Sequence, residues 1–359
     1  MKAIVACGGT GGHAFPGLAV ADELLRRGHD VCVWNAGRDV EASVMKGWQG
    51  PSFATGARQI RLRNALSLVA SILRCRRAMR AAKPDVLLAM GSYSSLPPVL
   101  AAHGCGVPVV LHEANTVPGK AVDLLSRFAA AVATSFEMTA SMLPRAKTFL
   151  SGLPVRSGIA AGKRFDFIPA GAFTVFVTGG SQGAHALNEL MSAALVEAGR
   201  EIARRGGGRT LYVIHQTGVR DEAAVRQAYA AAGVPARVKA FEDSMADAFA
   251  SADFVVSRAG ASTCFELAAC GKPALLVPLP TALRDHQRYN AEAFSASGAA
   301  DVGLQSVLSV RQAARYILRK FETPGKLACM AAAMRNLAAP DAAAKVASLV
   351  EKAAAGELT

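Results

Sequence analysis

A chain of 359 residues, 52% of them hydrophobic, is too long for one ordinary core and supplies apolar surface for two. Lysine and arginine number 40 against 27 acidic residues, and the net charge of +13 suits anionic lipid, nucleic acid or phosphorylated ligands. Aromatic residues at 6% and the lack of any nucleic-acid module argue against nucleic acid as a partner. Seven scattered cysteines without a Cys-x-x-Cys pair argue for a reducing compartment and against zinc. Residues 86–112 carry no Asp, Glu, Lys or Arg, yet Gly91, Pro97, Pro98, Gly104 and Pro108 interrupt them, so they make no transmembrane helix. The first residues run directly into a glycine turn and are too short for a signal peptide, so a cytosolic protein is expected.

In chain order, residues 2–7 read as a strand and Gly8-Gly9-Thr10-Gly11-Gly12-His13 as a turn; a helix follows through about Arg27, closed by Gly28. Residues 29–34 give a second strand, making a βαβ opening with glycines in the phosphate position. The spacing is not Gly-x-Gly-x-x-Gly, and Asn35 rather than an acid ends the second strand, which disfavours a nicotinamide dehydrogenase. His13 reads as a catalytic base or as a cap residue. Between Glu41 and Asp85 there is no carboxylate, while Leu62, Leu66, Val69, Ile72, Leu73 and Met79 recur at helical spacing among arginines. Such a basic amphipathic helix lies on an anionic membrane or packs its apolar stripe against its own sheet. Strands over 86–90 and 107–111 end in the polar loops Gly91-Ser92-Tyr93-Ser94-Ser95 and His112-Glu113-Ala114-Asn115, at the ligand edge of an α/β sheet. Glu113 is there a general-base candidate or a loop carboxylate that caps the next helix. A strand is expected over 131–135, and residues 149–156 read as the crossing between domains.

After a linker to about Gly171 the pattern restarts. Residues 174–178 followed by Gly179-Gly180-Ser181-Gln182-Gly183-Ala184 repeat the strand, glycine turn and long helix of the opening. The expectation is an α/β protein of two Rossmann-type domains with parallel sheets, their phosphate turns facing a shared cleft. Strands over 211–215 and 238–240 follow. Residues 251–280 then read as strand, Arg258-Ala259-Gly260 turn, helix and strand, with Ser262 or Thr263 as the capping hydroxyl and Gly271 as the stop. That helix N-terminus suits a diphosphate. Glu266, on the face carrying Ser262 and Thr263, would accept a ribose diol or merely decorate the helix. A polar loop leads into a helix beginning near Asp285, and the alanine-rich tail from Asp341 reads as helical.

Six stretches stand in order across nearly the whole chain: GGTGGHAFPGLAVA, HEANTVPG, GLPVR, GGSQGAHALN, SRAGASTCFE and DHQRYNA. Together they resemble the MurG family, family 28 of the GT-B glycosyltransferases. Its members move N-acetylglucosamine from UDP to the N-acetylmuramic acid of lipid I, giving lipid II for peptidoglycan. The resemblance implies the GT-B fold, two Rossmann-like domains facing a central cleft. Residues 1–156 would hold the acceptor and face the membrane, 157–340 would bind the UDP-sugar, and a helix over 341–359 would pack back across the domains. Ser181 and Arg156 would hold the diphosphate, and Glu266 the ribose. Ala261, Ser262 and Thr263 would line the phosphate and sugar, Gln287 would contact the transferred sugar, and the Glu242 backbone would pair with uracil. Thr10, Gly11, Gly12 and Asn115 complete the expected donor contacts, while the turn from Gly8 and Gly9 through Thr10, Gly11 and Gly12 would take the acceptor diphosphate. Glu242 stands where the family has an apolar residue, Leu153 where it has Asn, and Ala114 where it has Gln.

The family's chemistry implies attack of the acceptor C4 hydroxyl opposite UDP, with inversion, and either His13 or Glu113 taking the proton. No Asp-x-Asp motif occurs, so neither a metal nor a cofactor is called for. Leu66, Val69, Ile72, Leu73, Arg74, Arg76, Arg77 and Arg80 would form the anionic-lipid patch of a peripheral enzyme on the cytoplasmic face of the inner membrane. Another GT-B transferase or a UDP-sugar epimerase would share the donor site but lack that patch.

Overall fold

The computed structural model describes residues 1–9, 11–37, 45, 47–57, 65–180, 183–206 and 208–358. They divide into two compact units, Met1–Ser157 with Ala339–Thr359, and Gly158–Ala338.

In the first unit β1 (Lys2–Ala6), α1 (Gly11–Arg26), β2 (Asp30–Asn35) and β3 (Ser52–Ala54) are followed by α2 (Ala65–Ala82) and β4 (Val86–Ala89). Then come α3 (Leu96–His103), β5 (Val109–Glu113), α4 (Lys120–Leu125), β6 (Ala131–Thr134), α5 (Met138–Ser141) and β7 (Thr148–Leu150). The strands form one parallel sheet in the order β3-β2-β1-β4-β5-β6-β7. Strand order reverses between β1 and β4, so their carboxyl ends diverge into loops on opposite faces and leave a crevice there. The runs Val-Leu-Leu-Ala of β4 and Ala-Val-Ala-Thr of β6 are buried throughout, as strands covered on both faces must be. Several strand boundaries differ from those read in sequence by a residue or two. β5 continues through Glu113, and the segment taken as a crossing contains β7, an edge strand too short to show a period.

The second unit runs β8 (Phe173–Thr178), α6 (His185–Arg205), β9 (Leu211–Gln216), α7 (Glu222–Ala231), β10 (Ala236–Lys239) and α8 (Met245–Ser251). It continues with β11 (Phe254–Ser257), α9 (Ala261–Cys270), β12 (Ala274–Leu276), α10 (His286–Ala296), β13 (Ala300–Val302), α11 (Val310–Glu322) and α12 (Pro324–Asn336). Its parallel sheet has the order β10-β9-β8-β11-β12-β13, with the same reversal beside the first strand. The last helix, α13 (Ala342–Ala354), belongs to the first unit, where Val346, Ala347, Leu349 and Val350 join the core under β1 and β4. Arg27 fastens it to α1 by donating to Glu351 Oε2 at 2.7 Å and Ser348 Oγ at 2.9 Å.

Helix α2 is apolar on two sides. Ser71, Cys75 and Met79 are buried, while Leu66, Val69 and Leu73 are 87%, 53% and 58% exposed. Burial raises the Cys75 thiol pKa to about 12, so this residue behaves as a small core hydrophobe. Arg76, Arg77 and Arg80 are exposed, and Arg74 lies 5.4 Å from the Phe53 ring centre. Leu62 and Arg63 lie outside the described residues.

Candidate active site

The carboxyl end of β1 must pass into α1 within a few residues, and glycines permit it. Gly9 has φ of +127°, a region L side chains rarely enter. A Cβ on Gly17 would stand 2.3 Å from that of Cys7, so only glycine lets α1 lie this close to the strand. The loop after β4 is fastened to the same turn: Ser94 Oγ donates to the Gly8 carbonyl at 2.5 Å, and Ser95 Oγ donates to that of Gly91. Gly11 and Gly12 open α1 as its first two residues; Thr10 lies outside the described residues. His13, the third residue of α1, sits 2.8 Å through Nδ1 from the carbonyl oxygen of Met90. A carbonyl can only accept, so Nδ1 carries a proton, and in the neutral ring the lone pair is on Nε2.

Glu113 ends β5 and is 3% exposed. Its Oε1 accepts from the Asn115 backbone N–H at 2.9 Å and Asn115 Nδ2 at 3.2 Å; its Oε2 accepts from the Gly119 N–H at 2.9 Å. Burial raises its pKa, against the pull of those amides. The carboxylate thus braces the loop that opens α4, and Asn115 is one of the groups it braces. Beside it His112 is fully buried, with Nε2 3.3 Å from the Gly152 carbonyl and Nδ1 without a partner. Burial holds its pKa down at about 4, the Gly152 bond opposing and nearby His13 adding to the depression. Arg156, expected at the diphosphate, belongs to this unit and stacks its guanidinium 4.3 Å from the Phe15 ring centre.

The second unit repeats the turn with different contacts. Gly183 has φ of +70°, and a Cβ there would stand 2.3 Å from the Thr217 carbonyl oxygen, so the turn after β8 presses on the loop after β9. Ser181 lies outside the described residues. His185 begins α6 with Nδ1 2.9 Å from Asp221 Oδ1 and Nε2 3.3 Å from Glu189 Oε1. Behind it Asn188 bridges Asp221 and His215, and His215 reaches the Tyr229 hydroxyl at 3.0 Å.

At the carboxyl end of β11 the helix begins at Ala261, two residues earlier than a Ser262 cap would set it and three earlier than a Thr263 cap would. Gly260 is the N-cap, with no side-chain cap. Ala261 therefore opens α9, and Ser262 and Thr263 fall inside its first turn rather than capping it. Glu266 is one turn further and 5% exposed. Arg258 is buried; its Nη atoms donate to the carbonyls of Val277 and Pro278 and to Gln305 Oε1, and burial lowers its pKa. Gln287 accepts through Oε1 from the Leu279 N–H at 3.0 Å.

Glu242, in the loop after β10, is buried. Arg237 donates to its two oxygens at 2.8 and 3.3 Å, and the Ser244 N–H donates at 3.2 Å. Burial alone would raise this carboxyl, but Arg237, the Ser244 amide and Lys239 together hold its pKa below the usual value. That pairing lets a carboxylate be buried here. Sequence reasoning missed Gln216, whose carboxamide touches both this loop and the turn after β8, and Arg258, whose three oxygen acceptors come from the loops after β12 and β13. Gln216 was findable as the residue after an apolar run at a ligand edge; the acceptors of Arg258 are remote in sequence.

Two profiles of one family match the chain: the glycosyltransferase family 28 N-terminal domain over residues 3–134 and its C-terminal domain over residues 174–346. A UDP-N-acetylglucosamine–N-acetylmuramyl-(pentapeptide) pyrophosphoryl-undecaprenol N-acetylglucosamine transferase from Geotalea uraniireducens is 37% identical, the match covering 96% of each chain. The crystal structure of Acinetobacter baumannii MurG superposes with a TM-score of 0.77 at 29% identity, over 98% of this chain and 99% of that one. A UDP-GlcNAc 2-epimerase from Neisseria meningitidis, bound to UDP-GlcNAc, shares the fold at a TM-score of 0.73 and 15% identity, over 98% of this chain and all of the other.

Proposed function

The chain belongs to glycosyltransferase family 28, and from that premise we propose how its residues serve the reaction it catalyses. That reaction moves N-acetylglucosamine from UDP-N-acetylglucosamine to the muramyl sugar of lipid I, giving lipid II. UDP is the leaving group, and the second unit holds it. The first turn of α9, with Ala261, Ser262 and Thr263, offers N–H groups and the positive end of a helix dipole to the diphosphate. Glu266, one turn on, takes the ribose hydroxyls. Ser181 and Arg156 contribute to the diphosphate, Gln287 to the transferred sugar, and the Glu242 loop to uracil. The glycine turn of the first unit, Gly8 to Gly12, takes the acceptor's pyrophosphate; Asn115 lies at the same sheet edge.

One observation carries the choice of base. The Met90 carbonyl fixes the proton of His13 on Nδ1, so Nε2 is the basic nitrogen at the carboxyl ends of β1 and β4. It takes the proton of the attacking C4 hydroxyl. Glu113, its oxygens committed to loop amides, acts as a brace. The test is UDP release with and without a short-chain lipid I analogue, for wild type and Glu266→Ala. Acceptor-dependent release that collapses in the variant supports the reading; release indifferent to the acceptor points instead to an epimerase-like use of the same site.

The enzyme works from the membrane surface through α2. Leu66, Val69 and Leu73 share an exposed face with Arg76, Arg77 and Arg80, which fits an interfacial helix drawn to anionic headgroups. Among the described residues no helix is long and apolar enough to cross a membrane. Replacing Arg74, Arg76, Arg77 and Arg80 by glutamine should weaken sedimentation with anionic vesicles; unchanged sedimentation would sink the idea.

A further inference from the structure

Gln216 is the last residue of β9 and lies between the two strands whose loops meet the nucleotide in the reading above. In register it stands opposite Thr178 of β8 on one side and Lys239 of β10 on the other. Its side chain is buried, and the carboxamide is used at both ends. Nε2 donates to the Gly180 carbonyl at 3.0 Å, inside the glycine turn after β8. Oε1 accepts from the Glu242 N–H at 3.3 Å, in the loop after β10. The other bonds at the two ends stay local: Thr178 Oγ1 accepts from the Gly180 N–H, and Arg237 holds the Glu242 carboxylate from its own strand.

We propose that Gln216 is a positioning residue that sets the spacing between the phosphate turn and the base-recognition loop of the donor site, and so governs nucleotide selectivity. The inference rests on the assignment of the UDP site to this unit. The chemistry requires an amide. The Gly180 end needs a donor and the Glu242 end an acceptor, and among side chains of this length only glutamine offers both without first taking up a proton. A carboxylate would set an oxygen against the Gly180 carbonyl, and a thioether would leave a buried carbonyl and a buried N–H unpaired. Because the bridge ties the two loops rather than touching the anomeric centre, its loss loosens ground-state and transition-state binding of the nucleotide alike. The consequence is therefore in KM and in discrimination, not in the chemical step.

The experiment uses the full-length enzyme with Gln216→Met, Gln216→Glu and Glu266→Ala, read by steady-state turnover and by titration with UDP and CDP. For both Gln216 variants the KM for UDP-N-acetylglucosamine should rise about tenfold, with kcat changed by less than twofold and the preference for UDP over CDP reduced. Gln216→Glu is the nearly isosteric variant and keeps the measurement open if Gln216→Met does not fold. A folded variant with unchanged KM and unchanged preference for UDP overturns the proposal, whatever its melting temperature. Glu266→Ala separates the two layers: if it leaves UDP affinity intact, the donor-site assignment fails and takes this proposal with it. If it abolishes binding while the Gln216 variants bind UDP and CDP as wild type does, only the bridge is refuted.

Discussion

The two units open with nearly the same words, a buried strand, a Gly-Gly turn and a helix with a histidine in its first turn, yet the two histidines meet opposite surroundings. His13 faces a backbone carbonyl at 2.8 Å, which pins one proton and leaves the other nitrogen basic. His185 faces Asp221 through one nitrogen and Glu189 through the other, so neither is presented to a ligand as a proton acceptor. The glycines diverge in the same way. In the first unit Gly17 lets the helix settle on its strand, whereas in the second Gly183 lets the turn press against the Thr217 carbonyl. A repeated motif thus supplies a scaffold, and the groups packed against it decide which side-chain atoms it leaves to present.

This contrast is sharpest in the rate. His13→Asn should lower kcat by about a hundredfold or more at neutral pH, the scale of a lost general base, with donor KM little changed. A loss under tenfold in a turnover assay would return the role to Glu113. Next in size is Gly183→Ala. It forces an alanine to positive φ and into a backbone oxygen, and should destabilise the second unit by about 2–4 kcal/mol, read as an earlier calorimetric transition.

Acid should expose a further difference. His112 in the first unit and His215 in the second are buried with pKa values of about 4 and about 3, below the 6.5 of an exposed histidine. The unfolded chain therefore binds more protons than the folded one in the window below 6.5, and stability falls as pH falls. Each histidine contributes up to about 1.4 kcal/mol per pH unit. The histidine contribution in the first unit should level off near pH 4 and that in the second nearer pH 3, which thermal melts of wild type, His112→Gln and His215→Gln would resolve. The smallest effect is expected from His185→Asn: kcat within about twofold of wild type, since its ring serves Asp221 and Glu189 rather than the reaction.

Much of this is legible in the sequence. Alternating glycine turns and apolar runs announced two parallel α/β units, and six ordered motifs announced the family. The stop of α9 at Gly271 followed from its left-handed conformation, φ +60°, which glycine adopts without strain. Its start was misjudged because hydroxyls in a first turn and hydroxyls at a cap look alike in a string of letters. Helix α2 was readable as basic and amphipathic, but its period gave no means of choosing which of two apolar stripes faces the sheet.

Local signals determined the elements, since a turn needs its glycine and a buried strand its run of apolar residues wherever they occur. What only the tertiary structure decided were the partners. Met90 stands 77 residues from His13, and Gly180 stands 36 residues from Gln216. Hydrogen bonds are short and directional, so the protonation of one ring and the reach of one amide depend on which distant backbone atoms the sheet order brings alongside. That order is set by packing summed over the whole unit, and no single stretch of the chain contains it.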